Sequence, residues 1–454
     1  MSLYNESYLE EACFEWLEEI GYEDVSGPDI APDGQFPERA SYRDVVLEGR
    51  LRDALVRINP GLSLSIIDEA VQRIIANTSP NIIVNNRDFH RLITDGVDVQ
   101  TMSDDGVNPT VKVYVFDNEN LHNNDFAAVS QFTIIQDSVN KRPDVILFVN
   151  GLPLVVIELK NTSNEDVSIS SAYHQLQTYK DKISSLFRFN EMMIISDGVN
   201  ARVGSLTANE ERFMKWRTVD GHNKAEQNVM ELEVMIKGML TPERLLDIVK
   251  HFVLFQTDGE QVYKILAAYH QYFAVNKAVE KAKIASQSDG DKKIGVVWHT
   301  QGSGKSLSMV FYAAKLVKEL NNPTIVVLTD RNDLDGQLYD TFSKSQEILR
   351  NSPKQAESSD HLRELLNVEA GGIVFSTLQK FSPDADGKMP ALTERDNVIV
   401  MADEAHRSQY GFGAHLSRAK DSEGEVKYGF AKYVRDALPN ASFVGFTGTP
   451  SSTA

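Results

Sequence analysis

The chain has one cysteine, Cys13, in 454 residues. It has no partner within the chain for a disulfide, which excludes a disulfide scaffold and suits a reducing compartment. Long apolar runs are also missing. The most apolar stretch, 145–159, is broken by Asn150, Gly151 and Pro153 and so does not span a membrane. The acidic N-terminal end has no basic region ahead of an apolar run, so no signal peptide is read there and a cytoplasmic location is expected. Positive charge is in deficit, with 46 Lys and Arg against 65 Asp and Glu and a formal net charge of −19. That balance argues against a protein that coats nucleic acid nonspecifically, yet leaves room for a local basic groove. No internal repeat or long low-complexity tract stands out. A hydrophobic content of 42% is ordinary for a globular protein, and the length suffices for two or three domains with their own cores.

What is present is concentrated in two places. The run His299-Thr300-Gln301-Gly302-Ser303-Gly304-Lys305-Ser306 lies between residues 294–298, expected as a buried strand, and 307–315, expected as a helix. Gly302 and Gly304 let backbone N–H groups turn toward phosphates, Lys305 can reach the β- and γ-phosphates, and Ser306 supplies a hydroxyl for Mg²⁺. His299 stands where the usual pattern has its first glycine. About a hundred residues later the apolar strand 398–401 leads into Asp403 and Glu404. Asp403 is the candidate second Mg²⁺ ligand of this site, and Glu404 the group that polarises an attacking water. Thr300 to Ser306 together with Asp403 therefore form a candidate ATP site. The first half alone would read as a Gly/Ser surface loop; the pair specifies the nucleotide.

The second place is 141–160. A strand entered through Lys141-Arg142-Pro143-Asp144 meets the turn signal Asn150-Gly151, and a second strand carries Glu158 and Lys160. Side chains repeat on a strand face every second residue, so Glu158 and Lys160 share a face, and Asp144 can converge on it. Two carboxylates and an ammonium suit metal-assisted phosphodiester hydrolysis. Asp144 and Glu158 would hold Mg²⁺, and Lys160 would orient the attacking water or stabilise developing charge. By itself Glu158-x-Lys160 reads as an edge-charged hairpin. Downstream, a helical stretch places Gln175 and Tyr179 on one face at i, i+4. At the N-terminus an amphipathic helix has the apolar stripe Leu9, Cys13, Trp16, Leu17 and Ile20. Its Glu6, Glu10 and Glu11 are expected to form a solvated acidic face, with Glu6 or Glu10 near the metal as the alternative.

These motifs carry resemblances. The phosphate loop, Asp403-Glu404-Ala405-His406 and Thr447-Gly448-Thr449-Pro450, in that order, resemble the first RecA-like lobe of superfamily 2 helicases and translocases. That resemblance implies that Thr447, Gly448 and Thr449 couple nucleotide state to nucleic-acid grip, and that Gln271, in Tyr269-His270-Gln271, reads the adenine. The hairpin with Gln175 and Tyr179 resembles the PD-(D/E)xK core of RecB-like nucleases. Nuclease followed by motor, with supporting segments such as Tyr42-Arg43-Asp44, Asn86-Arg87-Asp88-Phe89-His90 and Thr329-Asp330-Arg331, resembles the N-terminal part of the restriction (R) subunit of type I restriction-modification enzymes. The resemblance covers essentially the whole chain. It implies an α/β protein that binds double-stranded DNA together with methyltransferase (M) and specificity (S) subunits. Such a subunit pumps DNA with ATP and cuts far from the recognition site. S-adenosylmethionine belongs to the methyltransferase partner.

The expected organisation is a PD-(D/E)xK nuclease domain over 1–237, a helical connector with the adenine-reading element over 238–290, and a RecA-like lobe over 291–454. Within the connector, 244–255 is expected to be helical, with Thr241 as cap and Pro242 at its first position. Residues 351–360 are expected as a loop. Candidate groove cations are Lys141, Arg142, Lys160, Lys180, Lys182, Arg331 and Lys380, each of which alone reads as a solvated surface charge. Ending just after Thr447-Gly448-Thr449-Pro450, the chain reads as part of a longer protein whose second lobe would be needed for translocation. Two other classes stay open: a nucleic-acid-stimulated ATPase whose nuclease-like domain only clamps DNA, and a noncatalytic interaction module.

Overall fold

The computed structural model describes residues 6–101, 109–160, 169–226, 228–329, 332–381, 389–403, 415–416, 426–427 and 430–448. The chain divides into two compact units, residues 1–269 and 270–454. The expected connector is thus split between them at 269/270.

In the first unit, helix α1 (Glu6–Glu19) precedes strand β1 (Glu23–Ser26), and α2 covers Ile82–Asp95. The strands β2 (Phe126–Ser130), β3 (Val145–Val149), β4 (Leu152–Leu159), β5 (Met192–Ser196) and β6 (Ala201–Gly204) then join β1 in one six-stranded sheet, in sequence order. Its pairings are mixed: β1–β2 and β4–β5 are parallel, the others antiparallel. Every residue of β3 and β4 is buried, the behaviour of a near-continuous Val/Ile/Leu run covered on both faces. Both α1 and α3 (Ile169–Lys182) pack against β4.

The β3–β4 hairpin turns through Asn150 (φ +51°) and Gly151 (φ +74°), the left-handed pair that a tight two-residue turn requires. A Cβ on Gly151 would also come within 2.3 Å of the Leu47 carbonyl oxygen. The ladder then steps: Val149 faces Leu152 and Phe148 faces Pro153, but Leu147 faces Val155, leaving Leu154 as a one-residue bulge. The Leu154 carbonyl accepts from the Glu191 backbone N–H at 2.7 Å and from Asn190 Nδ2 at 3.2 Å. Pro153, which has no N–H, precedes the β4–β5 ladder, which begins at Val155 facing Met192.

The helix expected over 244–255 is shorter. Helix α4 spans Pro242–His251, with Pro242 at its first position and no side-chain bond from Thr241. Val253–Asp258 (β7) instead pairs with Gln261–Leu266 (β8) as an antiparallel hairpin, where β-branched and aromatic residues outweigh helical spacing. A buried ion pair anchors this hairpin. Lys264 Nζ on β8 lies 2.9 Å from Glu191 Oε2 and donates to Asn86 Oδ1 at 2.9 Å and to the Asn190 carbonyl at 2.8 Å. His90 Nδ1 lies 3.0 Å from the same Glu191 oxygen. Burial works against a charged Glu191, but Lys264 and His90 outweigh it and hold the carboxyl below its ordinary range.

The second unit is a parallel sheet. After α5 (Tyr269–Ala285) come β9 (Lys293–Trp298), α6 (Lys305–Glu319), β10 (Thr324–Thr329), β11 (Lys354–Gln355), β12 (Ile373–Thr377), β13 (Val398–Ala402) and β14 (Ser442–Thr447). Their spatial order is β9-β14-β13-β10-β12-β11, with every pairing parallel. Part of the expected 351–360 loop supplies β11. The expectation of a buried strand at 294–298 is corrected. Among the described residues β9 pairs only with β14 and is therefore an edge, with Val296 49% and Trp298 58% exposed. An apolar run does not distinguish an edge strand from a central one.

Candidate functional site

The bulge at Leu154 decides where the carboxylates fall. Val145 faces Ile157, so one step further along the ladder sets Asp144 opposite Glu158, on the same face. Asp144 Oδ2 accepts from the Leu159 N–H at 2.7 Å. Glu158 is 1% exposed; its Oε1 lies 2.5 Å from Lys160 Nζ, while its Oε2 is buried without a hydrogen-bond partner. Burial, reinforced by the charge of Asp144, pushes the Glu158 carboxyl up to about 8, against the pull of Lys160 and Tyr179. Helix α3 delivers Tyr179 to the same pocket. Its hydroxyl donates to the Arg142 carbonyl at 3.4 Å, and burial and the Glu158 charge push its pKa well above the ordinary phenol value, with Gln175 opposing. Asp144, Glu158, Lys160, Gln175 and Tyr179 are therefore brought together.

One neighbouring carboxylate was only an alternative in the sequence. Glu10 on α1 is half-buried, and Gln131 Nε2 donates to its two carboxylate oxygens at 3.3 and 3.4 Å. Gln131 in turn donates its backbone N–H to the Asp144 carbonyl at 3.1 Å, from a left-handed backbone (φ +51°). Burial, then the charges of Glu10 and Asp144, drives the Cys13 thiol far up, so this cysteine stays protonated. Nothing in the local pattern around Gln131 marks it, because its role depends on strand ends meeting. The Glu6 side chain lies outside the described residues.

The chemistry of these donors fits Mg²⁺: hard carboxylate oxygens, one of them buried and lacking a proton donor. Among the described residues no group of three or more His, Cys, Asp and Glu side chains forms a complete cage. Of the groove cations, Lys180 is committed inward. Its ammonium donates to Gln177 Oε1 at 2.7 Å and to the Leu206 carbonyl at 2.9 Å. Lys182 pairs with Asp181 at 2.8 Å. Arg331 lies outside the described residues.

In the second unit the phosphate loop joins β9 to α6. Gly302 (φ +83°) and Gly304 (φ +82°) both take left-handed backbone, and Gly304 caps α6. Lys305 Nζ lies 2.7 Å from Asp403 Oδ1, just beyond β13. Asp403 is held there by its N–H to the Leu328 carbonyl at 2.9 Å. Thr300, Gln301 and Gly302 are exposed on the loop, and Ser306 is half-buried in the first turn of α6. Gln271, 5% exposed on α5, donates its side-chain amide to the Gly304 carbonyl at 3.0 Å. A Cβ on Gly304 would approach that amide to 2.8 Å, a second reason for glycine there. Thr447 ends β14, with its carbonyl accepting the His299 N–H at 3.0 Å, and the Gly448 carbonyl accepts from Trp298 Nε1 at 3.4 Å. Glu404 and Thr449 lie outside the described residues.

Fold and sites together define an α/β chain that joins a nuclease-type domain to a RecA-like ATPase lobe. Residues 3–212 match the type I restriction enzyme R protein N terminus, and residues 270–454 match the SWI2/SNF2 ATPase family. The HindI type I restriction enzyme endonuclease subunit of Haemophilus influenzae is 46% identical over 99% of this chain and 43% of that relative. The putative MjaIXP endonuclease subunit of Methanocaldococcus jannaschii is 32% identical over 98% of this chain and 42% of its own length. A Staphylococcus aureus type I endonuclease subunit is 27% identical over 99% and 43%. The chain belongs to the family of type I restriction enzyme R subunits. It spans less than half the length of these relatives.

Proposed function

We propose that this chain supplies the DNA-cutting and ATP-binding parts of a type I restriction enzyme, acting in the cytoplasm on unmodified double-stranded DNA together with M and S subunits. Residues 1–237 would carry the nuclease and 291–454 the first motor lobe. The observation that carries the reading is the pairing of Asp144 with buried Glu158 on one hairpin face beside Lys160, with an orphaned Glu158 oxygen.

Asp144 and Glu158 would hold Mg²⁺, which when bound offsets phosphate charge and acidifies a water. Lys160, released from Glu158, then aims its ammonium at the attacked phosphate oxygen or the incoming water. Tyr179 and Gln175 fix the carboxylate from the helix side, and Gln131 braces the Asp144 strand end against Glu10. In the motor unit, Lys305 exchanges Asp403 for the β- and γ-phosphates. Asp403 and Ser306 would hold the nucleotide's Mg²⁺, Glu404 would polarise the attacking water, and Gln271 would read the adenine. Thr447 and Gly448 with Thr449 carry the change in loop geometry toward DNA. S-adenosylmethionine enters only through the methyltransferase partner.

The test is cleavage of unmethylated circular DNA bearing a recognition site, by the complete subunit assembled with its M and S partners under Mg²⁺ and ATP. Lys160→Ala is expected to keep ATP turnover and lose cleavage by on the order of 10²-fold or more. Lys305→Ala is expected to lose both. Normal cleavage by Lys160→Ala would make the hairpin structural and remove the nuclease assignment.

A further inference from the structure

His299 occupies a position where the usual phosphate loop has glycine, yet its backbone does not need glycine. Left-handed torsions in this loop fall at Gly302 and Gly304, not at His299. The side chain is 4% exposed and turned into the base of the loop. Its Nδ1 lies 3.3 Å from Ser303 Oγ. Ser303 Oγ donates its one hydrogen to the Thr300 carbonyl at 2.6 Å, so the hydrogen between His299 and Ser303 belongs on Nδ1. From the other side, His270 Nε2 lies 3.0 Å from the Ser303 carbonyl oxygen. A carbonyl only accepts, so His270 carries its hydrogen on Nε2. The two rings are 5.6 Å apart, with Ser303 held by both.

We propose that His299 and His270 are positioning residues that clamp Ser303 and thereby aim the loop's amides at the phosphates, an inference that rests on the ATP-site reading. The physical link is peptide planarity, because the N–H of a trans peptide points opposite its C=O. Holding the Ser303 carbonyl with His270 directs the Gly304 N–H away from α5, and Gln271 does the same for Lys305 through the Gly304 carbonyl. The Ser303 side chain, fixed by His299, keeps the turn from swivelling. The His299 backbone N–H is bonded to the Thr447 carbonyl at 3.0 Å, so the clamp is tied to the end of β14. His299 Nε2 is a buried acceptor without a hydrogen-bond partner, a cost that an aliphatic side chain filling the same space would avoid. Burial, with His270 and Lys305 nearby, pulls this imidazole down to about 4, so it stays neutral beside the lysine that takes the phosphates.

The test measures binding of a fluorescent ATP analogue with Mg²⁺ to this chain as wild type, His299→Ala, His299→Asn and Lys305→Ala, with ADP as competitor and nucleotide-free melting as a fold check. Loss of one neutral hydrogen bond should weaken ATP and ADP by about three- to tenfold in His299→Ala. Asparagine places an amide N–H near the Nδ1 position and is expected to restore most of that affinity. Lys305→Ala is expected to lose binding. Wild-type affinity in His299→Ala with loss in Lys305→Ala overturns the clamp and leaves the ATP site standing. Wild-type affinity in Lys305→Ala removes the ATP-site reading and the clamp with it. If His299→Ala does not fold, Ser303→Ala removes the same bond from the other side, and unchanged affinity there overturns the proposal.

Discussion

Glu158 is the residue with most to disclose in solution. Its carboxyl titrates near 8 in the folded chain and at an ordinary value of 4.5 when exposed. Between those pH values the folded state holds more protons than the unfolded state, so stability falls as pH rises from 4.5 toward 8, and the whole penalty is present above it. Glu158→Gln removes that penalty. In the absence of divalent cation the variant should melt above wild type near pH 9, by about 2–4 °C for each kcal/mol relieved. The difference should close below the ordinary value of 4.5, where both states are protonated. A thermal-shift series across pH measures it, and a variant that melts below wild type throughout would show that Glu158 is not held against its charge. Lys160 and Asp144 were legible as partners of Glu158 from strand period and chain interval. The Glu10–Gln131 brace was not, because it joins residues 121 positions apart through a left-handed strand end that no local pattern encodes. His299 was visible only as a departure from a motif; what it touches required the fold.

At the scale of elements, the hairpin β7–β8 shows where periodicity loses to pairing. Residues 253–255 continue an apolar pattern begun in α4, yet they form a strand because Gln261–Leu266 is there to take their backbone bonds. Its attachment to the nuclease sheet runs through Lys264, fully buried against Glu191. Removing one partner of such a pair strands the other charge, so Lys264→Ala is expected to cost about 3–5 kcal/mol, while the double change Lys264→Met with Glu191→Gln should recover a large part of it. Denaturant melts of the three proteins decide this. A Lys264→Ala loss below about 1 kcal/mol would mean that the pair is solvated in the working protein. The strand assignments of β3 and β4 followed from composition and turn residues alone. The edge position of β9 did not, since strand order is set by crossovers far apart in the chain.

For the whole molecule, order was readable and boundaries were not. Each motif names its own chemistry, so nuclease before motor follows from their succession, but the division at 269/270 depends on which core each helix and hairpin joins. Each unit has its own sheet, and the two candidate sites are built from separate sets of strands. Ligand stabilisation should accordingly be separable. Saturating ATP, at about 100 times its dissociation constant, is expected to add about 2.7 kcal/mol to wild type and to Glu158→Gln but nothing to Lys305→Ala. Calorimetry of the three chains with and without nucleotide tests this, and an ATP shift abolished by Glu158→Gln would tie the nucleotide to the hairpin instead. Among the described residues no helix is long and apolar enough to cross a membrane.

The bulge at Leu154 turns the β3–β4 hairpin into a counting device. With Val149 facing Leu152, an unbroken ladder would set Asp144 against Ile157 and send Glu158 to the opposite face; the extra residue restores the carboxylate pair. The interval between the two acids is thus a length specification as well as a motif. Substitutions inside it that respect volume leave the pair in place, whereas a single-residue insertion or deletion breaks the count. Drift in this family is therefore expected to change the letters between Asp144 and Glu158 far more readily than their number.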